Sequence, residues 1–320
     1  MRRRHSDWEL IYLSNGVIEL CVAPDIGGRI IQLWFGDQEL FYVNPRHLGR
    51  AYPPEENNRR TGWKNYGGSK VWPAPQGWSG DGQWPGPPDP VLDGGPYSCE
   101  VIENSSGAVA LLLRSAPDPR TGIVLSREIR IIRGEPIVRI RHEMQNLAEC
   151  PVKWSIWQVT QQLATTATTI IVPSTSWRQI YGDVPYAHVE SDVSAGLLRI
   201  RYRNRVAKLG VKPEAGWLVT HDISRSLALV ETFPLFPDLP YPDDAPVEIW
   251  VNGDGTYTLP TGRVDVSADP NGCDQYVETE VLSPLVELVP GQSYTFEIQW
   301  HPIRMDAEEE CLWLRSHLNV

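Results

Sequence analysis

Glu278 and Glu280 stand two residues apart in Tyr276-Val277-Glu278-Thr279-Glu280, a stretch that reads as a strand. Side chains alternate along a strand, so both carboxylates leave it on one face, roughly 7 Å apart. In a partly buried site each charge raises the pKa of the other group, which suits a general base. The competing reading is two solvated glutamates on an outer face. A second group of candidates lies far away in the chain. Residues 65–97 hold Trp72, Trp78 and Trp84 among glycines and prolines, interleaved with Lys70, Asp81, Asp89 and Asp93. Flat indole faces beside charges and amides suit a ligand that is apolar on one face and hydroxylated at its edge, such as a sugar ring. A proline–tryptophan plug that closes a sheet and touches no ligand has the same composition. Lys70 and Trp72 share a face if extended. Arg59 and Arg60, just before this segment, have bidentate reach to a hydroxyl, carboxylate or phosphate. Trp157 offers stacking area. The spacing of Asp81, Asp89 and Asp93 is not that of a calcium loop, and no metal is expected.

These residues must be held by strands. Turn signals recur every eight to twelve residues, which indicates an all-β sandwich or barrel of about eighteen strands. Asn15-Gly16 joins strands over 8–13 and 16–22 as a hairpin. Further strands are expected over 29–35, 39–43, 98–103, 108–115, 123–133, 137–146, 152–162, 168–172, 193–203, 206–211, 216–221, 226–232 and 247–251. A long strand over 275–288 breaks near Ser283-Pro284, and a last one spans 293–300. In 137–146, Val138, Ile140, His142 and Met144 share one face, so His142 reads as core. Residues 65–97 are expected to be irregular, because proline fixes φ and glycine permits φ > 0. They are also expected to be ordered, because disordered loops are poor in aromatics. One helix is expected over 305–318, capped by Asp306, with Glu308–Glu310 in its first turn and Arg315 and His317 near its end.

The 320 residues carry a formal charge of −11, which argues against a nucleic-acid footprint and against an anionic membrane surface. The basic start, MRRR, is followed by no apolar segment, so it reads as neither signal peptide nor anchor. No apolar run is long enough to span a membrane. The five cysteines are scattered and odd in number, which favours reduced core thiols in a cytoplasmic protein. No GxGxxG or Walker sequence is present, and no cofactor is expected.

Taken in order, the motifs resemble a known family. Asn15-Gly16-Val17-Ile18-Glu19-Leu20 and then Val22-Ala23-Pro24-Asp25-Ile26-Gly27-Gly28-Arg29-Ile30 resemble the opening of galactose mutarotase-like (aldose 1-epimerase-like) proteins. Tyr276–Glu280 followed by Leu288-Val289-Pro290-Gly291-Gln292-Ser293-Tyr294 resembles that family's glutamate-bearing strand and final strand. Gly67-Gly68-Ser69-Lys70-Val71-Trp72-Pro73-Ala74-Pro75-Gln76 is similar to one branch of the superfamily, the domain of unknown function DUF4380. The resemblance runs from about residue 8 to residue 302. It implies a β-supersandwich of antiparallel strands, here followed by the C-terminal helix, in one domain over 1–320. It also implies sugar mutarotation, in which a glutamate takes a proton from the anomeric hydroxyl while a histidine protonates the ring oxygen. Glu278 matches the family glutamate. The stretch that matches the histidine segment, 151–160, has none; Trp157 or Gln158 stands in its place.

The expected function is therefore carbohydrate binding on a mutarotase-like fold, with Glu278 catalytic and Arg59, Arg60, Lys70, Trp72, Trp157, Gln158 and Glu280 binding the ligand. Two versions stay open. The retained Glu278 leans towards an aldose 1-epimerase-type isomerase. The missing histidine favours a catalytically inactive carbohydrate-binding or scaffold protein. The partner expected is a sugar-like small molecule, and the sequence assigns no oligomeric state.

Overall fold

The computed structural model describes residues 1–58, 61–77, 83–192, 195–259, 262–266, 274–306, 309, 310, 313 and 316. Among them, twelve strands form one sheet, ten form a second, and Thr256–Leu259 pairs with Gly262–Asp265 in a small ribbon. The expected all-β architecture is present. From one edge, the main path of the first sheet runs Arg2–His5, Trp8–Ser14, Ile18–Ala23, Arg29–Phe35, Ser69–Ala74, Val152–Leu163, Tyr276–Leu282, Val247–Val251, Ala207–Val211 and Trp177–Tyr181. The second runs Val189–Asp192, Leu197–Arg201, Thr168–Val172, Trp217–Asp222, Leu227–Thr232, Ser293–Arg304, Val138–Asn146, Ile123–Ile132, Ala108–Arg114 and Ser98–Asn104.

Apolar side chains of both sheets meet in one core. Leu13, Leu20, Ile30 and Val277 of the first sheet pack with Leu111, Ile129, Ile140 and Trp300 of the second. Polar groups also cross this interior. Arg127, fully buried, donates to Ser69 O at 2.9 Å and to Gln158 Oε1 at 3.2 Å. Glu231 accepts from Trp300 Nε1 at 3.1 Å and from Gln162 Nε2 at 3.2 Å, and burial pushes its carboxyl up to about 7. His142 lies in the core as expected; burial and then the nearby Arg127 charge hold its imidazole well below the usual histidine range.

The sequence reading goes furthest wrong in residues 65–97. Ser69–Ala74, expected to be irregular, is a central strand, paired with 152–163 from Ser69↔Thr160 to Ala74↔Ser155. Pro73 is tolerated because the strand on its other side, Arg29–Phe35, pairs with it only at Ile30↔Ser69, so the missing N–H interrupts one ladder at most. Gly67 and Gly68 make the entry possible. Both have positive φ (89° and 69°), and a Cβ would stand 2.3 Å from Tyr42 O or 2.5 Å from Ile30 O. Other strands were missed: Arg2–His5, Trp177–Tyr181, Val189–Asp192 and the 256–265 ribbon. Of the strand expected over 193–203, residues 193 and 194 lie outside the described residues and Leu197–Arg201 is the strand; the one expected over 39–43 is replaced by the two-residue Gln38–Glu39, with single bridges at Phe41 and Val43. The break near Ser283-Pro284 is as expected, between Tyr276–Leu282 and Val286–Leu288. Of the described cysteines, Cys21 is buried, but Cys99 is only partly covered on an edge strand and Cys150 is exposed in a turn, so not all are core thiols.

Of the helix expected over 305–318, Met305 and Asp306 are described and lie outside any helix, residues 309, 310, 313 and 316 are described and helical, and the rest, Glu308, Arg315 and His317 among them, lie outside the described residues. Glu310 clasps the second sheet: it pairs with His221 and with Arg199 at 2.6 Å, while His221 Nε2 meets Met305 O at 2.9 Å. Trp313 packs edge-on to Trp217 at 5.3 Å. Burial pulls the His221 imidazole down, but Glu310 and Met305 O outweigh it and the net shift is upward. A histidine whose folded pKa is raised stabilises fully below its unfolded value, about 6.5, and loses this as pH rises through the folded pKa. Protease cleavage within the C-terminal segment is expected to quicken from about pH 6 to about pH 9, and Glu310→Gln to abolish that dependence. Equal cleavage rates across this range would sink the clasp. No described helix is long and apolar enough to cross a membrane.

Candidate functional site

The site lies on the face of the first sheet turned away from the second sheet. Alternation decides which residues reach it. Ser69, Gln158 and Thr279 point inwards, where Arg127 and Glu231 bind them. Lys70, Trp72, Trp157, Gln161, Glu278 and Glu280 point the other way. A cleft of about 220 Å³ forms there, lined by Trp63, Asn65, Trp72, Gln76, Pro87, Trp157, Tyr181, Lys208, Trp250, Asn252, Tyr257, Val264, Val266, Tyr276, Glu278 and Glu280. A larger, more open depression of about 520 Å³ lies on the second sheet. Its arginines 130, 139 and 141 are paired with Glu103, Glu128, Glu135 and Glu297.

The wall of the cleft is aromatic. Trp72 and Trp157 are cross-strand partners with rings 5.4 Å apart, and Trp72 also packs on Trp63 at 5.9 Å and on Trp84 at 5.2 Å. The aspartates of the 65–97 segment hold these indoles in place. Asp93 accepts from Trp63 Nε1 at 2.7 Å and pairs with Arg29, and Asp89 accepts from Trp84 Nε1 at 2.6 Å. Both aspartates are buried. Tyr42 stacks on Tyr276 at 4.6 Å, and Tyr257 of the ribbon packs edge-on to Trp250 at 5.3 Å. The Trp72 Nε1 donor, in a residue 4% exposed, has no hydrogen-bond partner among the described residues.

The floor is ionic, and its two carboxylates sit in different surroundings. Glu278, whose side chain is 12% exposed, accepts from Lys70 Nζ at 2.9 Å and from Gln161 Nε2 at 2.6 Å through one oxygen. Lys70 lies 4.6 Å from the Trp72 ring centre; burial pulls its ammonium below its usual value while Glu278 works against that. Glu280 is 1% exposed. Its Oε2 accepts from Trp157 Nε1 at 2.8 Å and from Lys208 Nζ at 3.1 Å. Lys208 also holds Glu248 at 2.6 Å, and Glu248 is the cross-strand neighbour of Glu280. Burial pulls Lys208 down, but the two carboxyls outweigh it and its net shift is upward. Burial pushes Glu280 up to about 8 against the pull of Lys208, with Glu248 and Glu278 adding to the rise. One ammonium faces two carboxyls, so a proton retained on the pair relieves the excess negative charge. Of the two glutamates read from sequence, Glu280 is the one sealed from water.

Glu278, Glu280, Trp72 and Trp157 line the cleft together, with Lys70 directly behind Glu278. Gln158 does not line it. It is fully buried on the opposite face, bound to Ser69, Arg127 and Thr160, because it stands one residue out of phase with Trp157. Arg59 and Arg60 lie outside the described residues, as do Trp78 and Asp81. No described residue lining the cleft is a histidine; His221 is in the C-terminal clasp and His188 packs beside Tyr186. Sequence reasoning missed Trp63, Gln161, Lys208, Glu248 and Trp250. The signal for three of them was present: a lysine in Ala207-Lys208-Leu209-Gly210-Val211, and Glu248 and Trp250 alternating with valine and isoleucine in Val247–Val251. Polar residues in otherwise buried strands need a partner.

Solved structures place this fold among known ones. The chain superposes on a TPR-domain-containing protein from Parabacteroides distasonis with a TM-score of 0.65 at 14% identity, covering 93% of this chain and 47% of that one, so it spans about half of that protein. A putative aldose 1-epimerase from Klebsiella pneumoniae gives 0.64 at 12% identity, covering 98% and 86%. A putative mutarotase from Salmonella typhimurium gives 0.62 at 12% identity, covering 95% and 93%. At these identities the likeness is one of fold, and the fold is the galactose mutarotase-like β-sandwich. No curated protein matches the chain in sequence. The family model for the domain of unknown function (DUF4380), by contrast, matches residues 9–303, almost the whole of the double sheet just described, and the chain belongs to that family.

Proposed function

We propose that the protein binds an uncharged aldose in the tryptophan-lined cleft and interconverts its anomers by proton transfer, with Glu278 as the base. The observation that carries this reading is one carboxylate, Glu278, fixed by Lys70 and Gln161 on the wall of an indole-lined cleft. Indole faces stack on the apolar face of a pyranose, and the Trp72 N–H, without a partner among the described residues, is a donor that a ligand oxygen would satisfy. The mutarotase-like names of similarly folded proteins support the same chemistry. The test is exchange NMR between the α and β signals of a panel of aldoses. Exchange well above the buffer rate for at least one aldose is expected. Failure with every aldose would remove the enzyme reading.

The charge balance narrows the ligand. The cations at the described cleft, Lys70 and Lys208, are both taken up by carboxylates. A phosphate there would add like charge beside Glu278 and Glu280 without a free cation to meet it. Free aldoses are therefore expected to quench tryptophan fluorescence, and their 6-phosphates to bind at least tenfold more weakly. Equal or tighter binding of the phosphate ester would overturn this.

A second reading has one observation of its own. The described cleft lacks the imidazole expected of this fold, because the matching stretch places Gln158 in the interior. A protein that binds the sugar without accelerating exchange fits that loss. Fluorescence quenching without exchange would establish it.

A further inference from the structure

We propose that Glu280 supplies the acid which the missing histidine leaves unassigned, so that both proton carriers stand on one strand. The assignment rests on the anomer-exchange reading above. Glu278 and Glu280 leave the Tyr276–Leu282 strand on the same face and both line the cleft. Their starting points are roughly 7 Å apart. The two oxygens that must exchange protons, the anomeric hydroxyl and the ring oxygen, are bonded to the same sugar carbon. Two carboxyls at this spacing reach both without moving.

The two groups are held alike but placed differently. Each has one lysine and one neutral donor: Lys70 and Gln161 for Glu278, Lys208 and Trp157 for Glu280. Glu278 is partly exposed and has Lys70 to itself. Glu280 is sealed from water and shares Lys208 with Glu248, across one strand pairing. Paired carboxyls whose surroundings differ in this way divide into base and acid. The groups that face Glu280 are Glu278 on its own strand, Glu248 and Lys208 on the next two, and Trp157 on the other side.

The step balances without a further reactant. Glu278 takes the proton of the anomeric hydroxyl as Glu280 gives its proton to the ring oxygen. The bond between the anomeric carbon and the ring oxygen breaks, and the electron pair of the former O–H bond completes the carbonyl. Rotation about the adjacent carbon–carbon bond turns the carbonyl over. The reverse transfers close the ring on the other face and restore both carboxyls. Charge and protons are the same before and after.

The test compares exchange rates and sugar binding in wild type, Glu280→Gln and Glu248→Gln. Glu280→Gln is expected to bind aldose within about threefold of wild type and to lose exchange roughly 10²–10⁴-fold, in kcat rather than KM. The wild-type rate is expected to fall as pH rises through about 8, and Glu248→Gln to move that fall to lower pH, since Glu248 raises the Glu280 pKa. If Glu280→Gln fails to fold, the wild-type profile and Glu248→Gln decide. Exchange at the wild-type rate in Glu280→Gln, or a wild-type rate that stays flat to about pH 10, overturns the assignment and leaves the anomer-exchange reading standing. A wild type that accelerates no aldose overturns both.

Discussion

Glu278→Gln is expected to abolish anomer exchange and to weaken the fold in the same protein. The amide keeps the shape and an acceptor for Gln161, but it can no longer take the sugar proton. Loss of a positioned proton carrier lowers the rate about 10²–10⁴-fold. The structural effect has a separate cause. Lys70 is 1% exposed and its recorded salt bridge is to Glu278. Removing one partner of a buried pair leaves the other charge uncompensated, at about 3–5 kcal/mol. The low end, about 3 kcal/mol, applies here, because Glu278 keeps 12% exposure and water can reach its place. Exchange NMR reads the first effect and the urea midpoint reads the second. Lys70→Met combined with Glu278→Gln separates them: the pairing loss is expected to be largely relieved, while the exchange stays lost. Retained exchange in the single variant would remove Glu278 as base.

Some of this site was legible because its signals are local. The period-two pattern put Glu278 and Glu280 on one face, and Lys70 with Trp72 on one face, and both inferences agree with the cleft. The sheet order that brings residues 69–74, 152–163, 276–282, 247–251 and 207–211 side by side is not local. Nothing near Lys208 in the chain announces Glu248, forty residues on, or Glu280 beyond it. Their meeting depends on strand neighbours fixed by the whole core. Residues 69–74 were misread for a different reason. Pro73 and the flanking glycines carry strong turn propensity, but burial of Val71, Trp72 and Ala74 in the apolar core outweighs it. Gln158 illustrates the sharpness of alternation: a one-residue error in phase moves a side chain from the ligand face to the interior.

Asp93→Asn is expected to be the most destabilising single change to the cleft wall, by about 3–5 kcal/mol, a large share of the roughly 5–15 kcal/mol typical of a folded domain. Asp93 and Arg29 form a pair whose side chains are both 0% exposed. Arg29 also donates to Gly67 O at 3.1 Å, at the turn that starts the Ser69–Ala74 strand, and its cation lies 5.4 Å from the Tyr66 ring centre. Burial pushes the Asp93 carboxyl up, while Arg29, Lys70 and the Trp63 N–H pull it back. The geometry shows the pairing to be the dominant relation: Asp93 divides its two oxygens between Arg29 and Trp63. Asparagine retains one acceptor and loses the charge, so Arg29 is left buried without a counterion. Trp63, freed from its anchor, no longer holds a fixed place over Lys70, from which its ring centre now stands 5.3 Å away. The urea midpoint should fall accordingly, and sugar-induced tryptophan quenching should weaken at concentrations where the variant is still folded. Arg29→Met added to Asp93→Asn removes the stranded charge and is expected to recover part of the midpoint but not the quenching, since Trp63 stays unanchored. A single-variant shift below about 1 kcal/mol would mean that the Arg29–Asp93 pair does little for stability, and that the tryptophan wall is held by packing alone.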